Sequence, residues 1–224
     1  MSTDGFARRR LLGFLSGGVV AQCCYALARL GVPDLLAGGP RPAAELAAEC
    51  GANPLVLKRL LRGMAAVGLL RRTPPDSYAL TPVTEPLRSD VPGSLRQTAI
   101  MHGEEVHRAF AEIMHTVRTG EPAFDKVYGH PFYEYLTGNP ETAGVFSAAM
   151  GSERVPAALA GCDLTGLGTL VDVGGGDGGL LAEVLAVHPA MRGVLLELAG
   201  SVRAARTRLA ESGVADRVDL VEGS

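Results

Sequence analysis

Apolar residues recur at helical spacing from the start of the chain. Val19, Val20, Cys23, Leu27, Leu30 and Leu35 mark one side of an amphipathic helix that ends near Gly31, and Pro33 opens a further turn. Pro42–Ala47 reads as a short helix closed by Gly51. Asn53 is a good N-cap with Pro54 at the first helical position, and Leu57, Leu60, Leu61, Met64 and Val67 give the next helix one apolar face, ended by Gly68. Leu69–Arg72 and Tyr78–Thr81 then alternate as two strands around a Thr73–Ser77 turn. Helices followed by a hairpin are the order of a winged helix.

Residues 94–160 read as mostly helical. Leu95, Ile100, Val106, Phe110, Ile113, Met114 and Val117 form one long amphipathic stretch, broken at Gly120–Pro122. Phe124–Gly129 reads as a loop, Pro131–Leu136 opens a helix, and Asn139–Glu141 caps another that carries Val145, Phe146, Ala149 and Met150. Aromatics concentrate here in a chain that has only 5% of them and no Trp. Such residues are core in most helices but also line flat apolar ligand sites.

The last third changes period. Thr169–Val173, Gly193–Leu198 and Arg217–Val221 are short strands, and the segments between them carry helical patterns from Leu180 to Val187 and from Val202 to Leu209. Alternation of strand and helix predicts a parallel, doubly wound sheet. The expected class is therefore α/β, with a mainly helical first domain before a Rossmann-like second one. The expected domains are residues 1–100, a helical connector at 101–160, and a sheet domain at 161–224.

Charge separates the halves. Residues 1–100 carry 12 basic against 7 acidic side chains, and the remainder 9 against 17, for a net charge of −3. The overall balance argues against a dedicated nucleic-acid binder, although Lys58, Arg59 and Arg62 on the third helix keep a DNA-reading regulator open as an alternative. Four Cys without C-x-x-C spacing argue against a disulfide scaffold or zinc ribbon and fit a reducing cytoplasm. No apolar run is expected to reach membrane-span length. Arg8–Arg10 before Leu11–Leu15 resembles an export signal, but the amphipathic-helix reading is preferred because Gln22, Arg29 and Asp34 interrupt and no clean cleavage site follows.

The chemistry concentrates at Gly174–Gly179. A glycine turn between strand and helix lets backbone N–H groups meet a ligand without side-chain collision. Gly174-x-Gly176-x-x-Gly179 satisfies a dinucleotide fingerprint, and Glu197 lies 23 residues after Gly174, near the roughly 20-residue spacing of a ribose-binding acid. Asp172 points elsewhere. It stands where dinucleotide strands usually carry an apolar residue, and an acid there suits a cation such as the sulfonium and ammonium of S-adenosylmethionine. Its alternative is a structural acid that caps the loop amides. A nicotinamide dehydrogenase is disfavoured by Asp172 and by the long helical domain before the loop.

Several motifs together resemble the two-domain small-molecule O-methyltransferases of the caffeate and acetylserotonin type. They are Ala26–Val32, Phe124–Gly129, Asn139–Phe146 with Met150, and Val171–Gly176. Leu196–Gly200 and Ala215–Val218 look most like the bacterial anthracycline and aromatic-polyketide branch. The resemblance runs from about Leu11 to Ser224. It implies a winged-helix-like domain forming an intertwined homodimer, and S-adenosylmethionine held at Asp172, Gly174, Gly176 and Glu197. Ser224 stands where the family usually has an Asp beside the adenine. Met101, His102, Phe132, Leu136, Phe146 and Met150 match positions lining the pocket of a small aromatic hydroxyl acceptor, with His102 expected to line the pocket or support it from behind rather than act as base. The family's general base and further strands are expected beyond Ser224, so the chain is expected to be an N-terminal portion. Methyl transfer to a phenolic or enolic oxygen is the expected reaction, with a methyltransferase-like hydroxylase as alternative. No metal, membrane or nucleic-acid partner is expected.

Overall fold

The computed structural model describes residues 3–151 and 162–223. The chain divides into two compact units at Ala149/Met150.

The first unit opens with α1 (Thr3–Arg29) and α2 (Val32–Leu35), joined at Gly31, whose φ of +69° makes the turn. β1 (Arg41–Pro42), α3 (Ala43–Glu49), α4 (Pro54–Ala66), β2 (Leu70–Thr73) and β3 (Ser77–Leu80) follow in the predicted order. Asn53 caps α4: its side-chain oxygen accepts from the N–H groups of Leu55 and Val56 at 3.0 and 3.2 Å. The three strands form an antiparallel sheet in the order β1-β3-β2. Leu27, Leu36, Leu46, Leu57, Leu61, Met64, Leu70 and Tyr78 make one core between helices and hairpin. Val67 departs from the predicted apolar face; it lies past the end of α4 and is exposed. Lys58 forms an ion pair with Asp76 of the hairpin turn at 2.6 Å, and Arg59 and Arg62 are exposed on the same helix.

Two expectations for this unit are corrected. The predicted single stretch from Leu95 to Val117 is four pieces: α5 (Arg96–Met101), a π-turn (His102–Val106), α6 (His107–Ala111) and α7 (Ile113–Thr119). The π-turn shifts the helical register, and Glu112 leaves helical geometry at φ −101°, ψ 20°, so the apolar stripe does not stay on one side. Phe110, Met114 and Val117 are exposed in the single chain as a result. The predicted loop Phe124–Gly129 is a helix, α8 (Ala123–Tyr128). Pro122 starts it, and Gly129 ends it in the left-handed conformation with its N–H on the carbonyl of Asp125. α9 (Phe132–Gly138) and α10 (Pro140–Met150) complete the helical run. The helix expected beyond Met150 falls largely on residues 152–161, outside the described residues.

α1 also corrects the expectation about membrane-span length. Gly5–Arg29 is 25 residues long with a window of mean hydropathy 1.7, enough by length and composition alone to cross a membrane. Ser16, Gly17, Gly18 and Gln22 interrupt the apolar run, but none is charged, so the average stays high.

The second unit is a parallel sheet of β4 (Thr169–Val173), β5 (Arg192–Glu197) and β6 (Val218–Glu222), in that order, linked by α11 (Gly179–Val187) and α12 (Ala199–Glu211). Asp172 pairs in register with Leu195, and Leu195 with Leu220. Leu181, Leu185, Met191, Leu195, Leu209 and Val214 form its core. The other face of β4 carries Val171 and Val173, both exposed.

Arg217 explains one of the motifs. Its guanidinium donates to the carbonyls of Leu185, His188, Pro189 and Met191 at 2.8–3.3 Å, satisfying the orphan acceptors after α11. Replacing it by Ala should destabilise this unit by about 2 kcal/mol, because several carbonyls lose a charged donor at once. A urea titration checks this through the shift of the transition midpoint.

Candidate functional site

The glycine loop follows directly from the sequence of β4. Gly174 and Gly176 have φ of +74° and +59°, a left-handed conformation that favours glycine. The loop turns back on the sheet: the Gly174 N–H donates to the Leu196 carbonyl at 2.8 Å, and the Gly176 N–H donates to Oε2 of Glu197 at 2.8 Å. The other oxygen of Glu197 accepts from the N–H of Leu198 at 2.7 Å. Two backbone amides thus hold the carboxylate at the tip of β5. A carboxylate has about four lone-pair sites, so accepting capacity remains for a diol.

Asp172 lies beneath the loop. A Cβ at Gly175 would sit 2.2 Å from its Oδ2 and 2.6 Å from Cδ1 of Leu195, so only glycine fits there. That Oδ2 is buried and has no hydrogen-bond partner. Burial first, and the neighbouring Glu197 carboxylate second, push the Asp172 carboxyl above its usual range. A buried acceptor without a donor costs free energy, and a cation with N–H groups would supply what it lacks. The capping alternative for Asp172 finds no support, since the loop amide that meets a strand-tip acid meets Glu197.

Asp177 adds a third acid. Its Oδ1 accepts from the N–H of Gly179 at 3.0 Å, at the start of α11. This is where the pyrophosphate of a dinucleotide would dock on a helix N-terminus. A carboxylate already occupies that donor, which disfavours a phosphate at this helix start.

Of the residues expected to bind a cofactor, Asp172, Gly174, Gly176 and Glu197 come together, and Ser224 lies outside the described residues. Of those expected at an acceptor pocket, Phe132 and Phe146 meet edge to face with ring centroids 5.0 Å apart. Leu136 is buried, Met150 ends α10, and Met101 and His102 lie on a separate element, with Met101 buried and His102 turned out. The sequence reading missed the other rings. Phe124 stacks on Tyr128 at 4.4 Å and meets Phe132 at 5.0 Å and Tyr135 at 5.4 Å. The signal was the four-residue spacing of Phe124 and Tyr128 between Pro122 and Gly129, which places both rings on one side of a short helix. Gly175 and Asp177 were also missed as functional positions, since both act through close approach in space.

The raised carboxyl of Asp172 predicts the pH dependence of folding. In the native state the group holds its proton to higher pH than when unfolded, so its contribution to stability falls as pH rises from about 4 through the raised value. Asp172→Asn should therefore raise the Tm of the ligand-free protein at pH 7 by about 2–4 °C, with the gain vanishing below about pH 4. Thermal unfolding followed by circular dichroism across that range checks it.

The chain is similar to known proteins over almost all of its length. Residues 110–224 match the family model of the O-methyltransferase domain, and residues 12–89 that of the O-methyltransferase dimerisation domain. Phenazine O-methyltransferase PhzM of Lysobacter antibioticus is 41% identical over 216 residues, 95% of this chain and 63% of that protein. The crystal structure of LaPhzM superposes with a TM-score of 0.89 at 40% identity, covering 97% of this chain and 67% of the other. An O-methyltransferase from neocarzinostatin biosynthesis, solved with S-adenosylmethionine and 2-hydroxy-5-methyl naphthoic acid, superposes with a TM-score of 0.78 at 37% identity, covering 92% of this chain and 65% of the other. The chain therefore spans about two thirds of the length of the relatives it matches. With both family models matched in order along one sequence, the chain belongs to the O-methyltransferase family of paired dimerisation and methyltransferase domains.

Proposed function

We propose that the protein is an S-adenosylmethionine-dependent O-methyltransferase acting on a hydroxyl of a small aromatic, polyketide-like acceptor, as a cytoplasmic homodimer. The observation that carries the cofactor is the pair of carboxylates at the strand tips, one held by loop amides and one buried without a donor. A sulfonium cofactor fits this pair where a dinucleotide does not.

When bound, S-adenosylmethionine supplies an electrophilic methyl group on a positively charged sulfur, which leaves as a neutral thioether. The residues of this chain do the rest. Glu197 accepts the ribose hydroxyls with its remaining lone pairs, and the Gly174–Gly176 backbone leaves room for close approach. Asp172 would hold the cationic end of the cofactor, whose donors would satisfy its unpartnered oxygen. The ring cluster around Phe132 and Phe146 offers flat apolar faces to an aromatic acceptor. Methylation of the acceptor oxygen would release its hydroxyl proton to a base or to solvent. A phenol with a lowered pKa needs little help in that step.

Dimerisation is supported by α1. Phe6, Leu11, Leu12, Phe14, Leu15 and Val19 are exposed along its first two thirds, which the dimerisation model matches from residue 12.

The test is incubation with S-adenosylmethionine carrying an isotope-labelled methyl group and 2-hydroxy-5-methylnaphthoic acid. Mass spectrometry should find the label on the acceptor oxygen, and Asp172→Asn should slow transfer by about tenfold or more. Label on a carbon atom, or an oxygenated product without label, would contradict the proposal.

A further inference from the structure

The glycine loop turns its N–H groups onto the chain itself. Gly174, Gly176 and Gly179 make its dinucleotide fingerprint, and the N–H of each is committed. Gly174 donates to the Leu196 carbonyl at 2.8 Å, Gly176 to Oε2 of Glu197 at 2.8 Å, and Gly179 to Oδ1 of Asp177 at 3.0 Å. Gly178 donates to the Gly175 carbonyl at 2.9 Å. In a loop that cradles phosphate, such amides point at the ligand, and the helix N-terminus favours its charge. Here two of the acceptors are carboxylates of the protein.

The two carboxylates have different surroundings. Glu197 stands at the tip of β5, with lone pairs left for a ribose diol. Asp177 lies across the start of α11. Gly178 beside it is buried, with atoms of Leu209 and Leu195 3.3–3.4 Å from where a Cβ would stand, which seats the start of α11 on the core. Asp177 also shares a shallow depression with Arg203, Thr207, Arg208 and Glu211 of α12. Neither arginine forms an ion pair among the described residues. Without the Asp177 carboxylate, the depression would hold two cations against one acid beside a free helix N–H, a setting that suits phosphate.

We propose that Asp177 is a specificity-determining residue of the cofactor site, a built-in anion that keeps phosphate-bearing nucleotides off the glycine loop. This rests on the reading of the strand tips as the site of S-adenosylmethionine, whose adenosyl group carries no phosphate. Adenosine, ADP and S-adenosylhomocysteine present the same diol to Glu197 and differ at the 5′ position. A 5′-phosphate directed at the start of α11 meets the Asp177 carboxylate where it needs the Gly179 N–H, and like charges at that range repel. A sulfonium or thioether makes no demand on that N–H. Selectivity here comes from a repulsive group that acts against the wrong ligand.

Calorimetric titration of the full chain with adenosine and with ADP, in buffer free of divalent metal, tests this. The wild-type chain should bind adenosine about tenfold or more tightly than ADP. Asp177→Asn keeps an oxygen for the Gly179 N–H and removes the charge, and should narrow that ratio about threefold. Asp177→Ala also frees the N–H, and should narrow it about tenfold. Adenosine affinity should stay within about twofold in both variants. An ADP penalty absent from wild type, or unchanged in both variants, would overturn the proposal and leave the cofactor reading intact. If Asp177→Ala does not fold, an unchanged penalty in Asp177→Asn alone has the same force. A folded wild-type chain that binds neither adenosine nor S-adenosylhomocysteine would overturn the cofactor reading itself, and the selectivity role with it.

Discussion

Glu197 holds the ends of all three strands of the second unit together. Its carboxylate accepts from Gly176 in the loop after β4, its carbonyl accepts from Gly223 after β6, and its neighbour Leu196 accepts from Gly174. One residue thereby sets the shape of the glycine loop and the orientation of its own side chain. A ligand hydroxyl meeting this carboxylate finds it already oriented, so little ordering remains to be done on binding. The strand order follows the same need. β5 lies between β4 and β6, and only a central strand can present its tip to both neighbours.

Around that fixed carboxylate the charge is arranged at a cost. Asp172 is held against Gly175 with a buried, unpartnered oxygen, and its ionised form is opposed by burial and by Glu197. Asp177 takes the helix N-terminal amide that a phosphate would use. Local rules broken in this way mark functional positions. Three acids thus stand in or beside a loop that satisfies a dinucleotide fingerprint.

Much of this was legible in the sequence because it is local. The change from helical period to alternating strands and helices located the sheet, Asn53 and Gly31 located helix ends, and Asp172 and Glu197 stood out by distance from the glycines. What escaped depends on space or on averages. Phe124–Gly129 has the composition of a loop, and its helix is set by Pro122 and Gly129 at its ends. The π-turn packs Gly103 against the ring of Tyr25, 78 residues earlier. The apolar length of α1 is hidden by small uncharged residues that count for little in a mean. The aromatic cluster needed α8 to be a helix before its rings could face one another.

Calorimetric titration of the chain with S-adenosylhomocysteine and, separately, with NADH tests most directly whether this sheet end is a site for the methyl donor. Binding of S-adenosylhomocysteine alone, weakened about tenfold or more by Glu197→Ala in a variant that still folds, is the expected result. Binding of NADH as tight as that of S-adenosylhomocysteine, or S-adenosylhomocysteine binding indifferent to Glu197→Ala, would contradict it.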